Sequence, residues 1–415
     1  MRDAQAPIYA GLDIGTSAVR FIVGVIDQEQ SGNKLKIIGH GQADSVGMRK
    51  GSIVHIEDMV ESIREARQRV EDLTGIPLTR VTCNVNGTHV VGVDSRGVIA
   101  ISNHDREIRE DDRFRAEEAA TILKLPPNQE IIQVFAKSFR VDGQGSIKDP
   151  VGMHGVRLEA DTHLVVAASP NVKSIETVLD KAGLQPNHIT VSSLASAEAV
   201  LERQQKEAGT LLINIGAGTT NLVIIEDGEV QYVGVLPVGG MHITNDLAIG
   251  LRTDLDIAES VKIDHGTLET VNMANIEIEK TDGTKEKFQK HEVKHIIESR
   301  VEELFELVER ELKKVGRSRK LPGGVVITGG TANLPGIASL AKEKLQLAAR
   351  VGQIQQVHGL VDEINNSSWA TAIGLMQLDV LLTPIHTGRI DVQSSTKLLE
   401  SVQSVMRGLL SRRKK

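Results

Sequence analysis

Two glycine hairpins constrain this chain more than anything else in it. One reads Leu12-Asp13-Ile14-Gly15-Thr16-Ser17 near the amino terminus, and the other reads Ile213-Asn214-Ile215-Gly216-Ala217-Gly218-Thr219-Thr220 near the middle. Each is entered by apolar residues and left by a β-rich run, Phe21-Ile22-Val23 after the first and Leu222-Val223-Ile224-Ile225 after the second. That is strand, tight turn, strand, written twice. A turn without bulky Cβ atoms lets backbone N–H groups come close to a phosphate. Two such turns facing one another would grip a phosphate chain from both sides. A third glycine turn, Val325-Val326-Ile327-Thr328-Gly329-Gly330-Thr331, follows another apolar strand and suits the nucleoside end. One such turn alone says little, because most are plain hairpins. The weight lies in all three occurring in this order, with acidic or amide residues at matched positions.

The two hairpins align residue for residue: Asp13 with Asn214, Ile14 with Ile215, Gly15 with Gly216. The pattern predicts a duplicated α/β core with a cleft between its halves. At 415 residues the chain is too long for one compact core. A net charge of −7 argues against non-specific nucleic-acid binding. Aromatic residues make up only 2 %, so the core is expected to be Val, Ile, Leu and Ala, without a base-stacking surface. Cys83 is the single cysteine, which excludes an internal disulfide and a cysteine-rich zinc site and fits a reducing compartment. No stretch reaches the roughly 18 apolar residues of a membrane span, and no signal-peptide core opens the chain. A cytoplasmic protein is expected, unless something anchors it to a surface.

The first half opens with strands near 8–14, 19–27 and 35–43. A helix follows over Glu57 to Thr74, with Met59, Val60, Ile63, Val70 and Leu73 on its apolar face and Gly75 and Pro77 at its end. Val81 to Val85 reads as a strand. Residues 87–164 look like a small α+β insertion, with short strands at 90–93 and 97–101, a charged helix over 111–124, and strands near 130–141 and 156–167. A helix at 171–182 returns to the first half. The small-residue segments Ser192 to Leu201 and Trp369 to Leu375 suit two helices in close contact, although a plain core helix reads the same way. Residues 250–320 read as mostly helical and charged, including an amphipathic helix from His291 to Val315. Residues 383–396 form a flexible linker.

The tail is a pattern of its own. Leu398, Leu399, Val402, Val405, Met406, Leu409 and Leu410 form one helical stripe, and Arg412, Arg413, Lys414 and Lys415 end the chain. Such a helix can lie in a membrane interface with its cations toward anionic headgroups, each contributing on the order of 1 kcal/mol. A protein groove is the alternative. The linker disfavours docking on the chain's own body, and the basic end favours lipid.

Together these residues resemble the FtsA family, bacterial actin homologues that tie the FtsZ ring to the inner face of the membrane. The resemblance rests on both hairpins, on Pro237-Val238-Gly239-Gly240 with Thr244-Asn245-Asp246, on Ala258-Glu259-Ser260-Val261-Lys262, on Thr328 to Gly336, on Leu194 to Leu201 and on Ile297 to Leu304. It implies an actin/ribonuclease-H-like duplicated fold, two lobes around a nucleotide cleft. Subdomain 1A would comprise 1–86, 165–208 and the closing helix 361–382, with 87–164 inserted as 1C. Subdomain 2A would comprise 209–249 and 321–360, with 250–320 as helical 2B, and 397–415 would be the membrane-targeting helix. It further implies ATP and Mg²⁺ as ligands. Gly15, Thr16 and Ser17 would hold the terminal phosphates, with Gly216, Gly218, Thr219 and Thr220 closing from the other side and Gly240 nearby. Asp13 would orient the waters of Mg²⁺. Glu259 and Lys262 would reach ribose and adenine, although a solvated helical ion pair reads the same way. Gly329, Gly330 and Asn333 would pass beneath the base. The FtsZ C-terminal peptide would dock near Arg300 and Glu303, which read equally well as surface ion-pair members. Implied partners are other copies of the chain in protofilaments, anionic lipid through the tail, and later division proteins through 87–164, at the cytoplasmic face of the cell membrane at the division site.

Two departures stand out. The second hairpin begins with Asn214 where hydrolysing relatives carry an aspartate, and an amide lacks the charge that helps hold Mg²⁺. Ser192 falls near the position that carries a Gln or Glu beside the attacking water, and a hydroxyl activates water poorly. Both changes should weaken hydrolysis more than binding, so the expectation is firm ATP binding with slow or negligible turnover. The pilus-assembly homologue PilM, which binds the cytoplasmic tail of a membrane protein, is the competing reading. An actin-fold small-molecule kinase lacks a candidate catalytic aspartate here, and a chaperone ATPase would need a substrate domain after residue 383.

Overall fold

The computed structural model describes residues 7–29, 32–272, 275–279, 285–360 and 364–383. The linker and tail readings over 384–415 therefore lie outside the described residues. Two sheets form the core, and they repeat one strand order. The first runs Gln185–Val191, Arg80–Val85, Ile8–Ile14, Ala18–Glu29, Gly32–Asp44, with Val357–Gly359 added at its far edge. The second runs Ala349–Val351, Val325–Thr328, Thr210–Ile215, Thr220–Glu226, Glu229–Leu236. In each, three consecutive antiparallel strands carry a glycine hairpin between the first and second, and two parallel strands extend the other side. Thr210–Ile215 and Val325–Thr328, neighbours in the second sheet, are buried throughout and mostly apolar, as strands covered on both faces are.

Helix Ile56–Thr74 buries Met59, Val60, Ile63, Ala66 and Val70 against the first sheet. Glu57 and Asp58 sit in its first turn, where the helix dipole favours them, and Gly75 ends it in the left-handed conformation, φ 69°, donating to Glu71 O. The small-residue segments form helices Ser192–Val200 and Ala370–Leu382, which cross in close contact. A Cβ on Gly374 would lie 1.7 Å from the carbonyl oxygen of Ala195, so only glycine allows that approach.

The insertion is a four-stranded sheet ordered Val91–Ala100, Arg157–Ala168, Gln129–Val141, Gln144–Ile147, backed by helix Glu110–Ala120. The expected strands 90–93 and 97–101 are one continuous strand. The polar Asp94-Ser95-Arg96 that reads as a break is paired across the ladder instead: Arg96 bonds Asp161 at 2.6 Å and Asp94 bonds His163 Nδ1 at 2.7 Å. His163 Nε2 also accepts the backbone N–H of Val233 at 3.0 Å, docking the insertion on an edge strand of the second lobe. The region 250–320 also departs from its reading. It contains a β-hairpin, Asn275–Glu279 with Lys285–Gln289, pinned by the buried pair Ile276 and Phe288. Helix Lys290–Lys314 then packs Val293, Ile297, Val301, Leu304, Phe305, Val308 and Leu312 into the second core.

If the helix crossing sets the spacing of the lobes, Gly374→Ala costs at least about 1–3 kcal/mol through overpacking. Gly330→Ala, whose Cβ meets nothing within 4 Å, should stay within about 0.5 kcal/mol of the parent. Urea unfolding midpoints of the two variants compare them directly.

Candidate functional site

The hairpin turns meet across a cleft of ≈ 780 Å³ between the lobes. The turns have one geometry: Gly15 N donates to Ala18 O at 3.1 Å and Gly216 N to Thr219 O at 2.9 Å. They touch. A Cβ built on Gly218 would lie 3.0 Å from Thr16 Oγ1. Gly240 N and Met241 N, at the start of helix Gly240–Leu251, donate to Gly216 O and Ala217 O at 2.9 and 2.8 Å. Gly329, at φ 89°, packs where any Cβ would strike Ile215 O, and Gly330 stands open to the cleft.

Asp13, Gly15, Thr16, Ser17, Asn214, Gly216, Thr219, Gly240, Glu259, Lys262, Gly329, Gly330 and Asn333 all line this space. Gly218 and Thr220 do not. Gly218 is the contact between the two turns, and Thr220 is buried with its hydroxyl donating to Val238 O at 2.7 Å. Ser192 and Asn214, the departures noted above, are both in the lining. Arg300 and Glu303 are elsewhere, on the outer helix Lys290–Lys314. There Arg300 makes a bidentate pair with Asp246 (Nη2 to Oδ1 2.8 Å) and also bonds Glu303.

A tier behind the lining holds these groups in place, and sequence reading had missed it. Asn84, from the strand beside the first hairpin, donates to Asp13 Oδ1 at 2.8 Å and to Ser192 Oγ at 2.9 Å, and accepts from Ile14 N at 2.8 Å. Asn214 donates to Ser196 Oγ at 2.9 Å and Thr371 Oγ1 at 3.0 Å, which ties the second hairpin to the helix crossing. Arg20 faces Asp13 across the first hairpin and lies 5.7 Å from the Trp369 ring. Its Nε has no hydrogen-bond partner among the described residues. Its signal was available: pairing Ile14 with Val19 sets residue 20 opposite residue 13. On the second lobe Lys262 binds Glu259 at 2.6 Å and Thr244 Oγ1 at 2.8 Å, and Thr244 donates to Glu259.

Burial pushes the Asp13 carboxyl up to about 6, only partly countered by Arg20 and the Asn84 hydrogen bond. An ionised, poorly solvated carboxylate beside open space is the donor a hydrated Mg²⁺ would relieve, and the oxygen-rich lining suits a hard cation. Among the described residues, no cluster of three or more His, Cys, Asp or Glu forms a dedicated metal cage. The raised folded value means that the native state holds the Asp13 proton up to about pH 6, whereas the unfolded chain releases it near 4. Stability from this group is thus lost as pH rises from about 4 to 6, by at most about 3 kcal/mol. Asp13→Asn should accordingly be more stable than the parent at pH 7.5, with the advantage shrinking as pH falls toward 4. Paired denaturant titrations across that range measure it, and a pH-independent difference contradicts the burial argument.

Residues 211–374 match the family model for cell division protein FtsA, and residues 87–166 match the SHS2 domain inserted in FtsA. The chain is similar to FtsA of Bacillus subtilis, 37 % identical over 374 residues, covering 89 % of this chain and 83 % of that one. FtsA of Pseudomonas aeruginosa is 34 % identical, with 88 % of each chain covered. Among solved structures, a PilM–PilN type IV pilus biogenesis complex superposes at TM-score 0.65 and 19 % identity, covering 91 % of this chain and 99 % of that one. MreB5 of Spiroplasma citri bound to AMPPNP superposes at TM-score 0.50 and 16 % identity, covering 88 % and 94 %. Those two likenesses establish the actin-like fold. With relatives this similar along most of its length, the chain belongs to the FtsA family of cell-division proteins.

Proposed function

We propose that the chain is an ATP-binding, actin-like adaptor of cell division. It polymerises on the cytoplasmic face of the membrane, tethers FtsZ filaments there and recruits later division proteins. One observation carries the reading: two glycine turns of identical geometry face each other in contact across one cleft. Their N–H groups and the hydroxyls of Thr16, Ser17 and Thr219 suit a polyphosphate. Asp13 suits Mg²⁺ through water, with Arg20 as a further cation near the phosphates. The Glu259–Lys262 pair and the Gly329–Asn333 turn suit the nucleoside. Slow turnover is supported by the surroundings of the departing residues. Asn214 spends its amide protons on two hydroxyls and Ser192 accepts from Asn84, so neither is placed as a base.

Arg300 and Glu303 lie on the second lobe's long helix, one turn apart, where an FtsZ C-terminal peptide would dock. Residues 398–410 and the four terminal cations would hold the filament on anionic lipid. Among the described residues, no helix is long and apolar enough to cross a membrane.

The test is co-sedimentation with anionic liposomes, with and without ATP and FtsZ tail peptide. Removing residues 397–415 is expected to abolish liposome binding while leaving peptide binding intact. Undiminished sedimentation of the shortened chain would overturn the membrane role and favour a PilM-like arrangement. Turnover of the order of 1 s⁻¹ with Mg-ATP, ordinary for an enzyme, would overturn the non-hydrolysing reading.

A further inference from the structure

The cations lining the cleft are already matched by carboxylates. Arg20 faces Asp13, and Lys262 is paired with Glu259. The lining adds Asp44 and Asp256 and, among the described residues, contains no other lysine or arginine. A polyphosphate entering this space meets a wall with more negative than positive side chains, and in a confined site that repulsion is poorly screened.

Against the two glycine turns stands a short β-hairpin, Met48–Arg49 with Ser52–Ile53, whose turn residues are Lys50 and Gly51. Both have positive φ, 49° and 76°. Gly51 is fixed by its surroundings: its N–H donates to Thr16 Oγ1 at 3.2 Å, and a Cβ would come within 2.7 Å of Gly87 N. Positive φ at both central residues is what a two-residue hairpin turn of this kind requires, so the turn itself holds Lys50 in the left-handed region. The Lys50 Cα lies 3.2 Å from where a Gly218 Cβ would stand, and Thr16 Oγ1 lies 3.0 Å from the same point. Lys50 therefore occupies the seam where the first and second hairpin turns meet. It is exposed and has no ion-pair partner among the described residues.

We propose that Lys50 is a further nucleotide-binding residue, whose ammonium crosses this seam to the terminal phosphate of a nucleoside triphosphate and favours three phosphates over two. The proposal rests on the cleft being a nucleotide site. It also accounts for Gly218, where a Cβ would crowd both Thr16 and Lys50. Lysine suits the task, as a point charge on a flexible stem with freely turning donors.

The experiment titrates the full chain, Lys50→Met and Arg49→Gln with Mg-ATP, Mg-ADP and AMP by calorimetry. Lys50→Met should lose about tenfold in ATP affinity, the scale of one charged hydrogen bond. ADP should weaken much less and AMP not at all. Arg49→Gln, which removes the adjacent exposed charge, should leave all three unchanged. The proposal is overturned if Lys50→Met keeps the parent's preference for ATP over ADP, or if Arg49→Gln weakens ATP as much. Should the parent chain itself bind none of the three, the nucleotide reading of the cleft falls first, and this role falls with it.

Discussion

The contact between Gly374 and Ala195 fixes how the second glycine hairpin is fastened to the first lobe. Helices Ser192–Val200 and Ala370–Leu382 both belong to the first lobe. The base of the second lobe's hairpin is fastened to their crossing through Asn214, Ser196 and Thr371. The crossing must be close for those bonds to form, because a side-chain amide spans only one hydrogen bond to each hydroxyl. Small residues supply that closeness: seven of the nine residues in Ser192-Ser193-Leu194-Ala195-Ser196-Ala197-Glu198-Ala199-Val200 are neither long nor aromatic, and Gly374 removes the last obstacle. At the far end of the same helix, Asp379 accepts from Ala10 N, Thr82 Oγ1 and Asn187 Nδ2, which locks it to three strands of the first sheet. A chain of buried bonds thus runs from the first sheet, through one helix crossing, to the second glycine turn.

The duplication is close in backbone and unequal in charge. Asp13 pairs across its hairpin with Arg20, and the equivalent pair in the second hairpin is Asn214 with Asn221. An acid and a base thus stand where the copy has two amides. Burying a second carboxylate at 214 would add a desolvation cost without an arginine opposite to offset it. The amide instead donates to two buried hydroxyls, which an ionised carboxylate could satisfy only by turning those hydroxyls into donors. The second hairpin therefore contributes backbone and neutral groups to the cleft, and the first contributes a buried charge.

What the sequence disclosed depended on how local the signal was. A hairpin is decided within a dozen residues, so Gly15 and Gly216 announce their turns, and the two sheets repeat the order the hairpins implied. The supports behind the turns are not local. Asn84 looks like one polar interruption in an apolar strand until the parallel pairing with Ile8–Ile14 brings it beside Asp13. Thr220 reads as another phosphate hydroxyl from its position after the turn, but strand alternation points it at Val238 O. The ribbon of 275–279 and 285–289 was hidden by charge: Glu277, Lys285 and Lys287 suggest a helix surface, whereas they form its outer face, and Glu286 turns to the side of Phe288 and accepts from Thr253 Oγ1. The same masking by polar residues divided Val91–Ala100 into two expected strands.

The insertion shows why an accessory sheet need not be passive. Glu229–Leu236 is an edge strand of the second lobe, and an uncovered edge leaves backbone donors seeking partners. The insertion supplies one, His163 Nε2, to Val233 N–H, and the His163 ring also stands 6.0 Å from that of Tyr232. Because Nε2 accepts, the ring must carry its proton on Nδ1, facing Asp94. The tautomer is therefore dictated from both sides, and Asp94 is held below the usual carboxylate range by that hydrogen bond and by Lys137. Glu229–Leu236 continues directly into Pro237-Val238-Gly239-Gly240, which ends at the second glycine turn. A subdomain inserted in the first lobe is thus joined, through one imidazole and one strand, to the part of the second lobe that faces the cleft. Any opening of the lobes must therefore either carry the insertion with the second lobe or break the bond to Val233.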